Sequence, residues 1–122
     1  MSDPRLSIRP EVTTEDIEST EAERFQNATL RPVLKMQNDL LAAIFQHFMG
    51  KRKIKFDQLG PQQKEAQIEH SVSKDKRLRF QLLGAVIGQF TTEEYAAYLQ
   101  IEREAVRRIS TMLTERLKDQ LG

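Results

Sequence analysis

The feature that most constrains the fold is a long segment of helix-forming residues near the C-terminal end of the chain. It spans residues 92–120 and contains neither glycine nor proline. Thr91 can cap this segment through its hydroxyl, and Glu94 can accept a hydrogen bond from the Thr91 amide, which together form a capping box. The sequence therefore predicts one continuous helix, about 40 Å long at roughly 1.5 Å per residue.

The composition is typical of a single soluble helical domain. The chain has 122 residues, of which 30% are charged and 39% are apolar, and its net charge is +1. It contains no cysteine, which excludes disulfides and thiolate nucleophiles. No apolar run approaches the roughly 20 residues needed to span a bilayer, and the first residues lack the apolar core of a signal peptide. We therefore expect a cytoplasmic protein without a membrane segment.

Start and stop signals divide the chain into four predicted helices and a flexible arm. The arm covers residues 1–13, and residues 14–122 form a single helical domain. A capping box at Thr20 and Glu23 places the start of the first helix directly after Thr20. Pro32 is expected to kink or break this helix, because proline lacks an amide hydrogen. The predicted fold is an all-α bundle whose helices span 21–49, 61–72, 74–88 and 92–120.

The third predicted helix, 74–88, is apolar almost all round, which is typical of a buried helix. Gly84 and Gly88 lie one turn apart on it, where another helix could approach closely. Several apolar residues of the two long helices would overhang so small a monomer: Phe25, Met112, Leu113 and Leu117. We therefore expect a symmetric homodimer that covers them.

Two polar residues interrupt the predicted apolar faces, Glu102 near the centre of the stripe on the last helix and Gln37 on the first. A carboxylate in such a position is unfavourable unless it is paired or solvated. Three interpretations are open. The stripe is locally wet at an opening of the bundle, or Glu102 is paired with a core-facing Arg, His or the Gln37 amide, or Glu102 belongs to a ligand or metal site.

The sequence contains no arrangement typical of catalysis or metal binding. The two histidines, His47 and His70, lie on different predicted helices, and neither belongs to a Glu-x-x-His or His-x-x-x-His pair. No serine lies in a Gly-x-Ser-x-Gly turn, and no glycine-rich phosphate loop occurs. We therefore predict no catalytic residue, metal or cofactor, and the sequence gives no support for an enzymatic activity.

Two segments of the chain carry opposite charge. Residues 11–23 contain six acids and no Lys or Arg, whereas Lys51, Arg52, Lys53 and Lys55 directly follow the first long helix. The basic run has three interpretations: a solvated loop beyond a helix end, a patch for nucleic acid or another anion, or a partner for the acidic segment within one chain or across a dimer.

The run TEEYAAYLQIEREAVRRI at 92–109 resembles the helix-turn-helix of cyclic-AMP-receptor-type bacterial regulators. The resemblance implies that Arg103, Glu104 and Arg108 match recognition-helix positions, which contact base edges in the major groove. It implies a DNA-binding transcriptional regulator, acting through residues 91–114, as the alternative function.

Four short runs extend a second resemblance over most of residues 24–120: RFQN at 24–27, LRPVLKMQN at 30–38, GQFT at 88–91 and EEY at 93–95. In these runs the chain is similar to a family of small, uncharacterised, all-helical bacterial proteins. Some members are labelled glyoxalase, but glyoxalase folds are rich in β-strands and bind metal through His and Glu, and the sequence predicts neither feature. The resemblance implies an all-helical fold and supplies no catalytic residues.

These features favour a non-enzymatic interaction protein that forms homo-oligomers and binds an unidentified protein partner. The DNA-binding regulator is the second hypothesis. An enzyme or ligand-binding protein centred on Glu102 is the third.

Overall fold

The computed structural model describes the backbone of residues 14–122 and the side chains from Thr20 onward, and this part of the chain is helical without strands. A π-helical turn, Gln26–Leu30, joins α1 to α2, and a 3-10 turn, Phe56–Gln58, precedes α4. The predicted all-α class is confirmed, although four helices are too few, and the predicted arm at 1–13 lies outside the described residues. The helices are α1 (Thr14–Phe25), α2 (Arg31–Met36), α3 (Asn38–Lys51), α4 (Pro61–Lys74), α5 (Lys76–Ile87), α6 (Thr92–Gln100) and α7 (Glu102–Leu121).

The first helix begins earlier than the sequence signals indicate. The chain is already helical at Thr14, so Thr20 lies inside α1, and the predicted start at a Thr20–Glu23 capping box is wrong. Once a helix has formed, each further residue adds a hydrogen bond, so α1 extends beyond its internal capping signal.

The interruption expected at Pro32 is present, but it lies one turn earlier, in the π-helical turn. Pro32 has no amide hydrogen to donate to the carbonyl of Ala28. Just before it, the Arg31 amide donates to the Gln26 carbonyl, five residues back. The wider π-helical turn thus accommodates the proline at the start of α2 without ending the helical stretch.

A second break, which the sequence does not signal, separates α2 from α3 at Gln37, where φ is −94° and ψ is 8°. Helical hydrogen bonds continue on both sides of it. The Gln37 amide donates to the Val33 carbonyl, and the Leu41 amide donates to the Gln37 carbonyl, each at 2.9 Å. The break is therefore a local distortion within one helical stretch.

The continuous helix predicted over 92–120 is wrong, because the chain is divided at Ile101, which has φ −131° and ψ 30°. The Ile101 amide donates to the Tyr98 carbonyl at 3.0 Å and closes α6, while the Ile101 carbonyl accepts from the Ala105 amide at 2.8 Å and opens α7. The Ile101 side chain is only 3% exposed. Burial of this side chain offsets the disrupted hydrogen bonding.

The central helix of the described residues is α7. α4 packs most extensively against it, and α3, α1 and α5 make further contacts. The buried face of α7 includes Ala105, Ile109, Leu113 and Leu117. Although the helix is broken from α6, its arginine-rich first half is therefore anchored in the core and does not project from the molecule.

One face of α5 is buried, so the prediction of a helix buried on all sides is wrong. Leu78, Leu82 and Val86 are buried, whereas Phe80 is 64% exposed. A Cβ added at Gly84 would meet nothing within 4 Å, so the expected close approach of another helix there does not occur among the residues that the structure describes. α3, α4 and α7 pack against one side of α5 and leave its opposite side exposed.

The residues expected to overhang the monomer are covered by the chain itself. Phe25, Leu113 and Leu117 are buried, and Met112 is half-buried. The overhang is therefore no argument for a dimer. Within the described residues, no helix combines the length and apolar character needed to cross a membrane.

Candidate interaction surfaces

The start of α6 is fixed by the capping box that the sequence predicts. The Glu94 amide donates to Thr91 Oγ1 at 3.1 Å, and the Thr91 amide donates to Glu94 Oε1 at 2.8 Å. The second carboxylate oxygen of Glu94 accepts a 3.2 Å hydrogen bond from the buried Thr29 hydroxyl in the π-helical turn. Glu94 therefore both caps α6 and attaches it to the N-terminal part of the bundle.

The rest of α6 contacts the bundle mainly through one aromatic side chain. Tyr98 is the single buried residue of this helix, and its ring lies 5.9 Å from that of Phe90. Tyr95 stacks on Tyr98 with ring centroids 5.8 Å apart, yet Tyr95 and Leu99 are 44% and 46% exposed. These two residues, four positions apart, form an exposed apolar ridge on α6, called here the α6 ridge.

The two predicted buried polar residues are not placed together. Glu102 is exposed in the first turn of α7, so its predicted position in a buried stripe is wrong. The break at Ile101 changes the rotation of α7 relative to α6, so Ile101 is buried in place of Glu102. Gln37 is half-buried and donates through Nε2 to the Ala85 carbonyl at 3.4 Å, which connects the α2–α3 junction to α5.

Glu102 retains an electrostatic influence on the core. Burial raises the pKa of the Tyr98 hydroxyl, and the negative charge of Glu102 raises it further. Within the described residues, no group of three or more His, Asp or Glu side chains is placed to hold a metal ion. The two histidines, His47 and His70, are both exposed.

The three residues expected to contact DNA have different environments. Arg103 is exposed. Glu104 accepts hydrogen bonds from Arg107 Nε at 3.1 Å and Arg108 Nε at 3.0 Å, and these arginines lower the pKa of its carboxyl. Arg108 also donates through Nη1 to Gln26 Oε1 at 2.8 Å. Glu104 and Arg108 therefore attach α7 to the π-helical turn, and Arg103 alone of the three faces solvent.

Two basic segments meet where α3 ends and α5 begins. Arg52 and Asp75 form a two-point ion pair, with Nε–Oδ2 and Nη2–Oδ1 distances of 2.9 and 3.1 Å. This pair places the predicted basic run beside the Lys74–Arg77 segment, whose cations the sequence analysis missed because Asp75 interrupts them. The six exposed cations of these two segments are called here the basic surface: Lys51, Lys53, Lys55, Lys74, Lys76 and Arg77.

Asp75 also organises the local backbone. Its Oδ1 accepts a 3.2 Å hydrogen bond from the Leu78 amide and so caps α5. Hydrogen bonding from Arg52, aided by that amide, lowers the pKa of the Asp75 carboxyl. Between these segments, Lys53 has a positive φ of 59°, which closes the turn after α3.

The predicted contact between the basic run and the acidic segment at 11–23 can be compared with the structure only for the acids from residue 20 onward. Glu21 and Glu23 are exposed, and α1 packs against α7. The ion pair found for the basic run joins Arg52 to Asp75, an acid outside the acidic segment. The acids at 11–18 lie outside the described side chains.

A shallow groove of about 350 Å³ lies between α4, α5 and α7. Arg79 lines it, and its Nε atom is buried without a hydrogen-bond acceptor among the described atoms. The hydroxyls of Ser73 and Thr114, also at the groove, donate to carbonyls of their own helices. The groove therefore offers few free donors to a ligand.

Comparison of the chain with protein-family models, with curated proteins and with solved structures gives no match. The two family resemblances found in the sequence stay predictions, and the surfaces themselves carry the functional argument.

Proposed function

We propose that this protein is a non-enzymatic helical interaction module that acts as a homo-oligomer. The α6 ridge is the observation that carries this proposal. A nine-residue helix is too short to be stable on its own, and this one buries a single side chain in the bundle while exposing Tyr95 and Leu99. A partner that covers the ridge would bury apolar area and stabilise α6 at the same time.

The composition of the ridge suits a protein interface. Tyrosine is enriched among the residues that dominate binding energy, because its large ring is buried at a low cost in conformational entropy. A ridge of residues at positions i and i+4 can also pack against its own copy across a twofold axis, which makes the contact self-complementary. A symmetric homodimer is therefore the simplest assembly. Three further apolar side chains are exposed elsewhere and extend the surface open to other protein partners: Met36, Leu40 and Phe80.

The test replaces the ridge by polar residues in a Tyr95→Ser/Leu99→Ser variant. Multi-angle light scattering at micromolar concentration should give twice the 14.2 kDa chain mass for the wild type and the single chain mass for the variant. An Ala97→Ser/Gln100→Ser variant on the opposite, exposed face of α6 is the matched control and should stay dimeric. A wild-type dimer that survives the ridge variant would contradict this choice of interface, and circular dichroism would verify the helical content of each variant.

The break at Ile101 favours a second candidate, the DNA-binding regulator acting through residues 91–114. It gives the segment two consecutive helices, and Arg103 is exposed in the first turn of the second one. Arg103→Ala should then abolish retention of duplexes selected from a random pool, whereas Lys35→Ala on α2 should not. Arg108 is unsuitable for this test, because its replacement would remove the contact with Gln26. Selection that recovers no sequence preference would reject this candidate.

A further inference from the structure

The basic surface consists of two segments, residues 51–55 and 74–77, that are well separated in sequence. Lys51 ends α3, Lys53 and Lys55 follow in the turn after it, and the second group comes from the α4–α5 junction at 74–77. The Arg52–Asp75 ion pair holds the two segments against each other. Asp75 is the only acid in these two segments, and Arg52 pairs with it, so the other six cations have no acid to neutralise them within the segments.

Physical features of this surface distinguish it from the α6 ridge. None of the strongly exposed large apolar side chains lies in its two segments. The one aliphatic residue of the first segment, Ile54, is half-buried and packs against the core. Protein interfaces are generally depleted in lysine and depend on apolar or aromatic anchors. A surface of exposed lysines without such an anchor is poorly suited to a folded protein partner.

The same features suit a polyanion whose charges repeat along a chain. A lysine ammonium is a compact charge that contacts phosphate without geometric selection, whereas sequence reading depends largely on bidentate Arg, Asn or Gln. Five of the six cations are lysines. Binding through such contacts is driven by release of counterions and does not depend on base sequence.

We propose that the basic surface binds the phosphate backbone of nucleic acid without sequence preference. This function is separate from the homo-oligomeric interaction through α6 and uses different helices. It also differs from the regulator hypothesis, which reads bases through Arg103. Both segments contribute to one binding surface, so neither is sufficient alone.

The experiment measures fluorescence anisotropy of labelled oligothymidine and of a labelled DNA duplex of arbitrary sequence at increasing salt. Two triple variants neutralise the segments separately: Lys51→Gln/Lys53→Gln/Lys55→Gln, and Lys74→Gln/Lys76→Gln/Arg77→Gln. Each should weaken duplex binding at low salt by about tenfold or more and reduce the slope of log affinity against log salt by up to about 2.7, at roughly 0.9 per lost phosphate contact. The two probes show whether single or double strands bind more tightly.

The matched control neutralises three exposed cations elsewhere, in an Arg24→Gln/Arg31→Gln/Lys35→Gln variant, and should retain wild-type affinity. An equal loss in this control, or an unchanged salt slope in the two triple variants, would overturn the proposal. So would wild-type binding to phosphatidylserine vesicles or polyglutamate without binding to either oligonucleotide. Light scattering of the triple variants should still give the wild-type mass, which separates this result from the fate of the oligomer proposal.

Discussion

Asp75 connects two parts of the bundle, and its replacement gives a prediction with an internal control. Its carboxylate caps α5 through the Leu78 amide and pairs with Arg52 beyond the end of α3. Loss of an N-cap side chain costs about 1 kcal/mol. The ion pair with Arg52 adds to this only weakly, because solvent screens a pair whose arginine side chain is 36% exposed.

Asp75→Ala removes both interactions and should lower the free energy of unfolding by at least the cost of the lost cap, about 1 kcal/mol, which corresponds to a fall of roughly 4 °C in melting temperature. Asp75→Asn keeps an oxygen that can cap α5 and loses only the charge. Asp75→Asn should therefore be clearly less destabilising than Asp75→Ala. Urea titration followed by circular dichroism measures both values, and an Arg52→Gln partner completes a double-mutant cycle for the ion pair.

The pH dependence follows from the lowered pKa of Asp75. In the unfolded chain the pKa of an aspartate is about 3.9. In the folded protein, hydrogen bonding from Arg52 lowers the pKa of the Asp75 carboxyl, which therefore stays ionised to lower pH. The stabilisation is therefore present above the unfolded pKa and is lost as the pH falls through the folded pKa. Two results would refute the assignment of two separable roles. One is an Asp75→Asn variant as unstable as Asp75→Ala. The other is a difference in unfolding free energy between wild type and Asp75→Asn that is as large at pH 2 as at pH 7.

Three further substitutions test the packing, the capping and the exposed face of α5. Leu113→Ala, in the buried face of α7, should lower the free energy of unfolding by about 2–5 kcal/mol in urea; a loss below 1 kcal/mol would contradict the central position of α7. Thr91→Ala should cost about 1 kcal/mol through the lost cap, whereas Thr92→Ala beside it should be nearly neutral. Gly84→Ala should stabilise the protein by about 0.5–1 kcal/mol, since a Cβ there meets nothing within 4 Å, and destabilisation would indicate an unrecognised contact.

Local signals predicted the parts of the fold that local interactions determine. The Thr91–Glu94 capping box is present, and the start of α4 at Pro61 follows from the fixed φ of proline and its lack of an amide donor. The helix predicted over 61–72 is observed as Pro61–Lys74, close to the expected bounds.

The breaks at Gln37 and Ile101 depend on tertiary packing instead. Neither has a glycine or proline signal, and the sequence around Ile101 favours continuous helix. The backbone angles at Ile101 are stabilised by burial of its side chain in the core cluster, which no local pattern records. The wrong placement of Glu102 follows directly, because the helical phase was carried through the break.

The candidate surfaces were likewise predictable only where they depend on residues that are neighbours in sequence. The basic run after α3 is evident in the sequence, but its union with the 74–77 segment depends on the Arg52–Asp75 contact, between residues 23 positions apart. The exposure of Tyr95 and Leu99 could not be predicted, since a continuous helix places both on its apolar stripe.

The central claim is that two copies of this chain associate through the α6 ridge. Sedimentation equilibrium of the wild-type protein over a range of micromolar concentrations tests it most directly. The account predicts a mass approaching twice 14.2 kDa as the concentration rises, with loss of association when Tyr95 and Leu99 are both serine. A wild-type mass that stays at 14.2 kDa throughout that range would contradict it.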